Sequence, residues 1–280
     1  MAVNKQAIKA RIKSINATKK ITSAMQLIAN AKLAKQRNQM EKNKEYTKVL
    51  FDVISDVLAK NSDIDNQYLK SKNNDKSLYI VFTSDLGLCG GYNANMLKLA
   101  NEVIKKDDEV VIIGSKLHKT LSKRNFNVVN DLIHIDAADN DTLSDLVTLA
   151  LNKYLNNSIG RIAVIYTEFV NTMTFEAREK QVLPAIIEQN ETSKLKKETI
   201  FEPNADEILN NLIPLMVKSV VYSSMLETKT AEQGARRLAM DAATTNAEEL
   251  NDKLVLAYNQ ARQSAITQEI TEIVAGADAI

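Results

Sequence analysis

The first 86 residues contain neither glycine nor proline. A stretch so free of helix breakers can hold one helix over a length few globular proteins use. Apolar residues recur there at helical spacing, as Ile8, Ile12, Ile15, Ile21, Met25 and Ile28, and Ala24, Leu27, Ala31 and Ala34 widen the stripe. The pattern continues through Tyr46, Val49, Leu50, Val53, Ile54 and Val57 before a polar run at 61–65. It predicts a helix over 1–58, roughly 80 Å long at 1.5 Å per residue, with Ile21 in its packed seam. The globular mean is only about 11–12 residues.

The other end of the chain behaves alike. After Pro214 only Gly234 and Gly276 occur as breakers. Pro214 suits the first turn of a helix, where its missing N–H costs nothing. Leu238, Ala242, Leu250, Leu254, Ala257, Ala261, Ile266, Ile270 and Ile273 follow, mostly at steps of three and four, and Ala235, Ala239, Ala243 and Ala247 permit close approach. A second long helix is expected within 208–280, with Gly234 as its weak point at about 1 kcal/mol against alanine. Two such stripes can bury each other as an antiparallel left-handed coiled coil.

The middle reads differently. All three prolines and five of the seven glycines lie between 87 and 214. Strands are predicted at Ser77–Thr83, Glu109–Ile113, Phe126–Ile133 and Arg161–Phe169, the last leading into a hairpin arm, Met173–Leu183. Helices are predicted at Tyr92–Lys106, Lys116–Arg124 and Asp141–Leu155. This alternation implies βαβ units and a mostly parallel sheet. The expected fold class is therefore α/β, with a Rossmann-like domain over 76–203 inserted between the halves of a coiled coil.

Several function classes fall away on composition. Cys89 is the only cysteine, and His118 and His134 are the only histidines, which argues against a disulfide framework, a structural zinc site or a cysteine nucleophile with a matched base. Asp107-Asp108 and Glu248-Glu249 read as solvated faces, and no catalytic constellation is evident. The run Ser84–Asn93 contains Asp85, Gly87, Gly90 and Gly91 between a strand and a helix. A Gly-rich turn there can cradle a phosphate. It lacks the Lys-Ser/Thr of a P-loop and departs from G-x-G-x-x-G, so a tight strand-to-helix turn is the stronger reading. No cofactor or metal is expected. No apolar run approaches the roughly 18–20 residues needed to span a bilayer, nor is there a secretory signal core, so a soluble intracellular chain is expected.

Charge is uneven. Residues 1–44 hold eleven Lys or Arg and one acid, Glu41, whereas residues 227–280 hold nine acids against five bases. The basic helix has four open readings: a solvated face, a nucleic-acid surface, a membrane surface or the face of an acidic protein partner. The first 45 residues lack the aromatic side chains that nucleic-acid stacking or membrane insertion favours. A coiled-coil interaction protein carrying an α/β module remains the alternative class.

Three separated motifs resemble one family. Arg11-Ile12-Lys13-Ser14-Ile15 through Lys20-Ile21-Thr22-Ser23-Ala24-Met25, with Ala31-Lys32-Leu33, is similar to the N-terminal helix of the gamma subunits of F-type ATP synthases. The turn Asp85-Leu86-Gly87-Leu88-Cys89-Gly90-Gly91 resembles that family's hallmark, where an Arg often replaces Leu86. The stretch from Leu256 to Val274 matches almost residue for residue, with Gln260 where the family usually has Lys. The resemblance implies a noncatalytic rotor, driven by proton flow through a membrane ring. Its partners would be the ATP-binding alpha and beta subunits of the head, the epsilon subunit and that ring, at the cytoplasmic face of a bacterial plasma membrane, without nucleic acid. It further implies that Lys19, Lys20, Met25, Lys32, Arg262 and Gln263 face the head, and that Phe201 and Glu202 lie toward the ring and epsilon.

Overall fold

The computed structural model describes residues 5–60, 66–124, 126–186, 202 and 204–277. Among them the elements are α1 (Lys5–Lys60), β1 (Ser77–Phe82), α2 (Tyr92–Val103), β2 (Glu109–Ile113), α3 (Ser115–Lys123), β3 (Asn127–Val128), α4 (Asn140–Leu155), β4 (Arg161–Phe169), β5 (Phe175–Leu183) and α5 (Ala205–Ala277). They gather into two compact units, one of Met1–Asn30 with Arg236–Ile280, the other of Ala31–Ala235. Both long helices contribute to each unit.

The inward positions of α1 follow a seven-residue repeat. Ile8, Ile15, Thr22, Ala29, Gln36, Asn43, Leu50 and Val57 are buried or half-buried, as are the positions four further on, Ile12, Lys19, Gln26, Leu33, Met40, Thr47 and Ile54. Ile21 is thus not in the seam; it is 60% exposed, and Thr22 beside it is buried. The hydrophobicity pattern pointed to the neighbouring stripe because this seam carries polar side chains. In the first unit Thr22 and Thr244 hydroxyls lie 2.8 Å apart, Gln26 donates to Asp241 at 2.8 Å, and Lys19 meets Glu248 at 2.7 Å. Ascending α1 descends α5, so the two helices pair antiparallel there. In the second unit Asn43 donates to Ser223, and the Thr47 and Ser219 hydroxyls lie 2.7 Å apart. Each of these seam hydroxyls thus has a partner, which offsets the cost of burying it.

Helix α5 begins earlier than Pro214 suggests. Asn204 caps it, its side chain accepting from the Glu207 N–H at 2.8 Å, and Asp206 and Glu207 suit the positive end of the helix dipole. Pro214 therefore lies inside the helix. Its penalty of about 3 kcal/mol is outweighed by burial of Leu209, Ile213, Met216, Val217, Val220 and Val221, each contributing about 1.5–3 kcal/mol.

The sheet has the order β3-β2-β1-β4-β5. Strands β1 to β4 run parallel and β5 closes one edge antiparallel. Side chains of β1 alternate: Leu78, Ile80 and Phe82 join a core with α1, α4 and α5, while Tyr79 and Val81 join one with α2 and α3. The strand expected over Phe126–Ile133 shrinks to two residues and a bridge from Ile113 to Ile133. Asn130 explains the loss. Its amide accepts from the Ile112 N–H and donates to the Ile112 carbonyl, taking the place of a ladder partner.

Gly114 links β2 to α3 at φ +114, and a Cβ there would stand 2.3 Å from the Thr83 carbonyl oxygen. Gly114→Ala is expected to destabilise the chain by about 1–3 kcal/mol, read as a lower urea midpoint with an unchanged slope.

Candidate functional site

In open parallel sheets, ligands bind outside the carboxyl ends of the strands, where the strand order reverses. Here the reversal falls between β1 and β4, and the Gly-rich turn leaves β1 at that point. The turn is built as a scaffold. Asp85 Oδ1 accepts from the Ser115 N–H at 2.9 Å, and Asp85 Oδ2 from the Asp136 N–H at 3.3 Å. His134 Nδ1 lies 3.1 Å from Asp85 Oδ1. One carboxylate thus gathers three chain segments. The Ser84 hydroxyl faces the Leu86 carbonyl and the Asn93 side chain, and Asn93 donates to Cys89 Sγ. Leu88 and Gly90 take left-handed conformations, φ 62 and 58. Gly87 sits beside Lys116, and Gly91 precedes α2.

Helix α5 fills the crevice above this turn. Strand β4 continues to Phe169, beyond Ile165, its last partner on β1. Backbone donors past that point need acceptors. The Thr228 hydroxyl accepts from the Thr167 N–H at 3.4 Å, and the Glu227 carboxylate accepts from the Phe169 N–H. Thr228 and Ala231 are fully buried, Ala231 among Cys89, Tyr92 and Ile165. Burial, with the Glu232 carboxylate second, pushes the Tyr92 hydroxyl far above its usual range, so it stays protonated. Burial lowers the Lys229 ammonium, opposed by Asp136, Asp85 and Glu232. These groups serve the docking of a helix; among the described residues no set of three or more His, Cys, Asp or Glu is placed to hold a metal. Among the described residues no helix is long and apolar enough to cross a membrane.

The residues expected to face partners lie elsewhere. Lys19 is tied to Glu248, Lys20 is exposed and Met25 is half-buried, all in the first unit, where Arg262 and Gln263 are also exposed. Lys32 is exposed in the second unit. Glu202 is exposed, and Phe201 lies outside the described residues. The patterning missed three features: the Asp85–His134 contact, the capture of β4 donors by α5, and the role of Gly234. That glycine is no weak point, since the Phe175 ring occupies the place of its Cβ. A lone glycine in a helical pattern was the available signal.

The model of the ATP synthase family matches residues 4–280. Curated relatives named ATP synthase gamma chain align over nearly the whole length. The one from Alkaliphilus metalliredigens is 39% identical over 100% of both chains, and that from Clostridium novyi is 41% identical over 98% of this chain and 97% of its own.

The chain belongs to the ATP synthase gamma chain family.

A further family member, from Acetobacterium woodii, is named as sodium ion specific and is 38% identical over the full length of both. Solved structures agree in fold. A chain of the Tetrahymena thermophila mitochondrial ATP synthase central stalk superposes with a TM-score of 0.61 at 20% identity, covering 80% of this chain and 99% of that one. A chain of the Euglena gracilis enzyme gives 0.56 at 17% identity, covering 89% and 95%. The mixed α/β fold with a long C-terminal helix is thus one that chains of solved ATP synthases share.

Burial raises the Glu227 carboxyl, with Glu168 adding to it and Lys180 and Lys44 opposing. The folded chain then holds a proton that the unfolded chain has released above about 4.5, so stability is lost as pH rises past that value. Glu227→Gln is expected to raise the melting temperature near neutral pH, and the gain should shrink on acidification to about pH 4. A gain independent of pH would contradict this assignment.

Proposed function

We infer that the chain is the noncatalytic rotor shaft, or central stalk, of an F-type ATP synthase, coupling ring rotation to ATP synthesis or hydrolysis in the head. Membership of the gamma chain family over residues 4–280 carries this reading. The chain contributes no catalytic residues; it acts by moving as a body within its complex.

The finer architecture we propose is an antiparallel coiled coil of the two long helices, with a Rossmann-like insertion, divided as 1–58, 76–203 and 208–280. The seven-residue repeat of burial along α1 supports the coiled coil. So does the placement of its hydrogen-bonded pairs: Thr22 and Asn43 are three heptads apart on α1, as are Thr244 and Ser223 on α5. The strand order, with its reversal beside β1, supports the Rossmann-like description, and β5 is the antiparallel addition. A pair of long packed helices is stiff, and two helices inside a threefold head are necessarily asymmetric, which is what lets a turning shaft distinguish the catalytic sites.

The proposed partners are the alpha and beta subunits, the epsilon subunit and the membrane ring, at the cytoplasmic face of a bacterial plasma membrane. Lys19, Lys20, Met25 and Lys32 would meet acidic loops of the head, with Arg262 and Gln263 contacting it elsewhere. Glu202, with Phe201, would lie toward the ring and epsilon. The runner-up reading, an adaptor that binds nucleic acid, has no supporting observation.

Copurification is the direct test: the tagged chain should recover ATPase subunits, and recovery of none would reject the rotor reading. Met25→Lys adds a cation beside an acidic loop. It is expected to lower ion pumping per ATP in reconstituted vesicles without reducing assembly; an unchanged ratio would remove Met25 from the coupling surface. We also propose that the chain binds no nucleotide tightly, because α5 occupies the crevice a nucleotide would need. Calorimetry on the pure chain should detect no micromolar ATP binding.

A further inference from the structure

The Phe175 ring sits where Gly234 lacks a side chain. A Cβ built on Gly234 would stand 2.5 Å from Phe175 Cζ and 2.6 Å from Cε1, closer than van der Waals contact allows. Phe169 pairs with Phe175 across the hairpin, and their ring centroids are 5.9 Å apart with a tilt of 38°. The hairpin beneath is held firmly. The Asn171 side chain accepts from the Met173 and Thr174 N–H groups, and Arg178 bridges Glu168 and Glu176. On α5, Ala231 and Ala235 flank the glycine within the same apolar cluster as both rings, so this helix face is small throughout.

Such a notch is specific to one pose. Sliding α5 by one residue moves it 1.5 Å and turns it by about 100°, which brings a Cβ to where the ring now stands. Ring and notch therefore oppose both rotation and translation of α5 on the sheet, whereas a flat apolar contact resists neither strongly. The notch is one residue from Ala235, where the compact α/β unit ends along α5. A force applied to the sheet reaches α5 through the contacts of this unit, of which the notch is one.

We propose that Phe175, seated on Gly234 and backed by Phe169, is a positioning residue that fixes α5 on the α/β unit so that torque passes between them without slip. This role rests on the rotor reading. It predicts an inverted sign for a familiar substitution, since Gly→Ala inside a helix normally stabilises it.

The test uses the assembled complex in vesicles. Gly234→Ala is expected to speed hydrogen exchange of the amides at 228–234 by about tenfold, equivalent to about 1.4 kcal/mol, and to lower ions pumped per ATP hydrolysed. Phe175→Leu, which empties the notch, should lower the same ratio. Adding it to Gly234→Ala should recover part of both losses, a rescue that loss of overall stability would not give. Assembled complexes of both single variants that keep wild-type exchange and pumping ratio would overturn the inference. So would a double variant no better than Gly234→Ala. Were the wild-type chain itself not to assemble with ATPase subunits, the rotor reading would fall, and this role with it.

Discussion

Helix α5 is bound to the carboxyl edge of the sheet because β4 outlasts β1. A strand that runs past its neighbour leaves backbone donors without a ladder partner, and leaving such groups buried and unpaired is expensive. Thr228 and Glu227 supply the acceptors, and Ala231 and Gly234 are small enough to let the helix come that close. Once the helix lies there, the crevice in which α/β folds commonly bind ligands is occupied. The same contact therefore accounts for how the α/β unit holds its long helix.

The seam of α1 and α5 adds a second constraint. Thr22, Gln26, Asn43 and Thr47 occupy inward positions that an apolar residue would fill more favourably on area alone. Each finds a partner on α5. Polar pairs are satisfied at one alignment of the helices and orphaned at others, so they select a register more sharply than apolar packing does. For a proposed torque-bearing coiled coil, a single register matters more than the greatest burial.

Much of the architecture was legible in the residues. The length of α1 followed from the absence of glycine and proline, and the strands at Glu109–Ile113 and Arg161–Phe169 follow the apolar runs that predicted them. Legibility failed where a polar side chain did the work of backbone or core. Ile21 was assigned to the seam that Thr22 occupies, and the third strand was overextended because Asn130 bonds to Ile112 as a strand residue would. Pro214 was read as a helix start because its local penalty is visible in sequence, whereas the burial that overrides it is not. The turn from Asp85 to Gly91 was visible through its glycines, but the reach of Asp85 to His134 and Asp136 spans about fifty residues and leaves no local pattern.

By itself the sequence determined the kinds of element and the family: ends poor in helix breakers are helical, short apolar runs are strands, and three separated motifs name the relatives. Only the tertiary structure decided which face of each helix turns inward, that α5 packs against the carboxyl end of β4, and that Gly234 is a seat rather than a flaw. The physical reason is one of range. Backbone propensity and periodicity are set by residues within a turn or two, whereas the worth of a buried hydroxyl, an interior proline or a helix glycine depends on what another part of the chain presses against it.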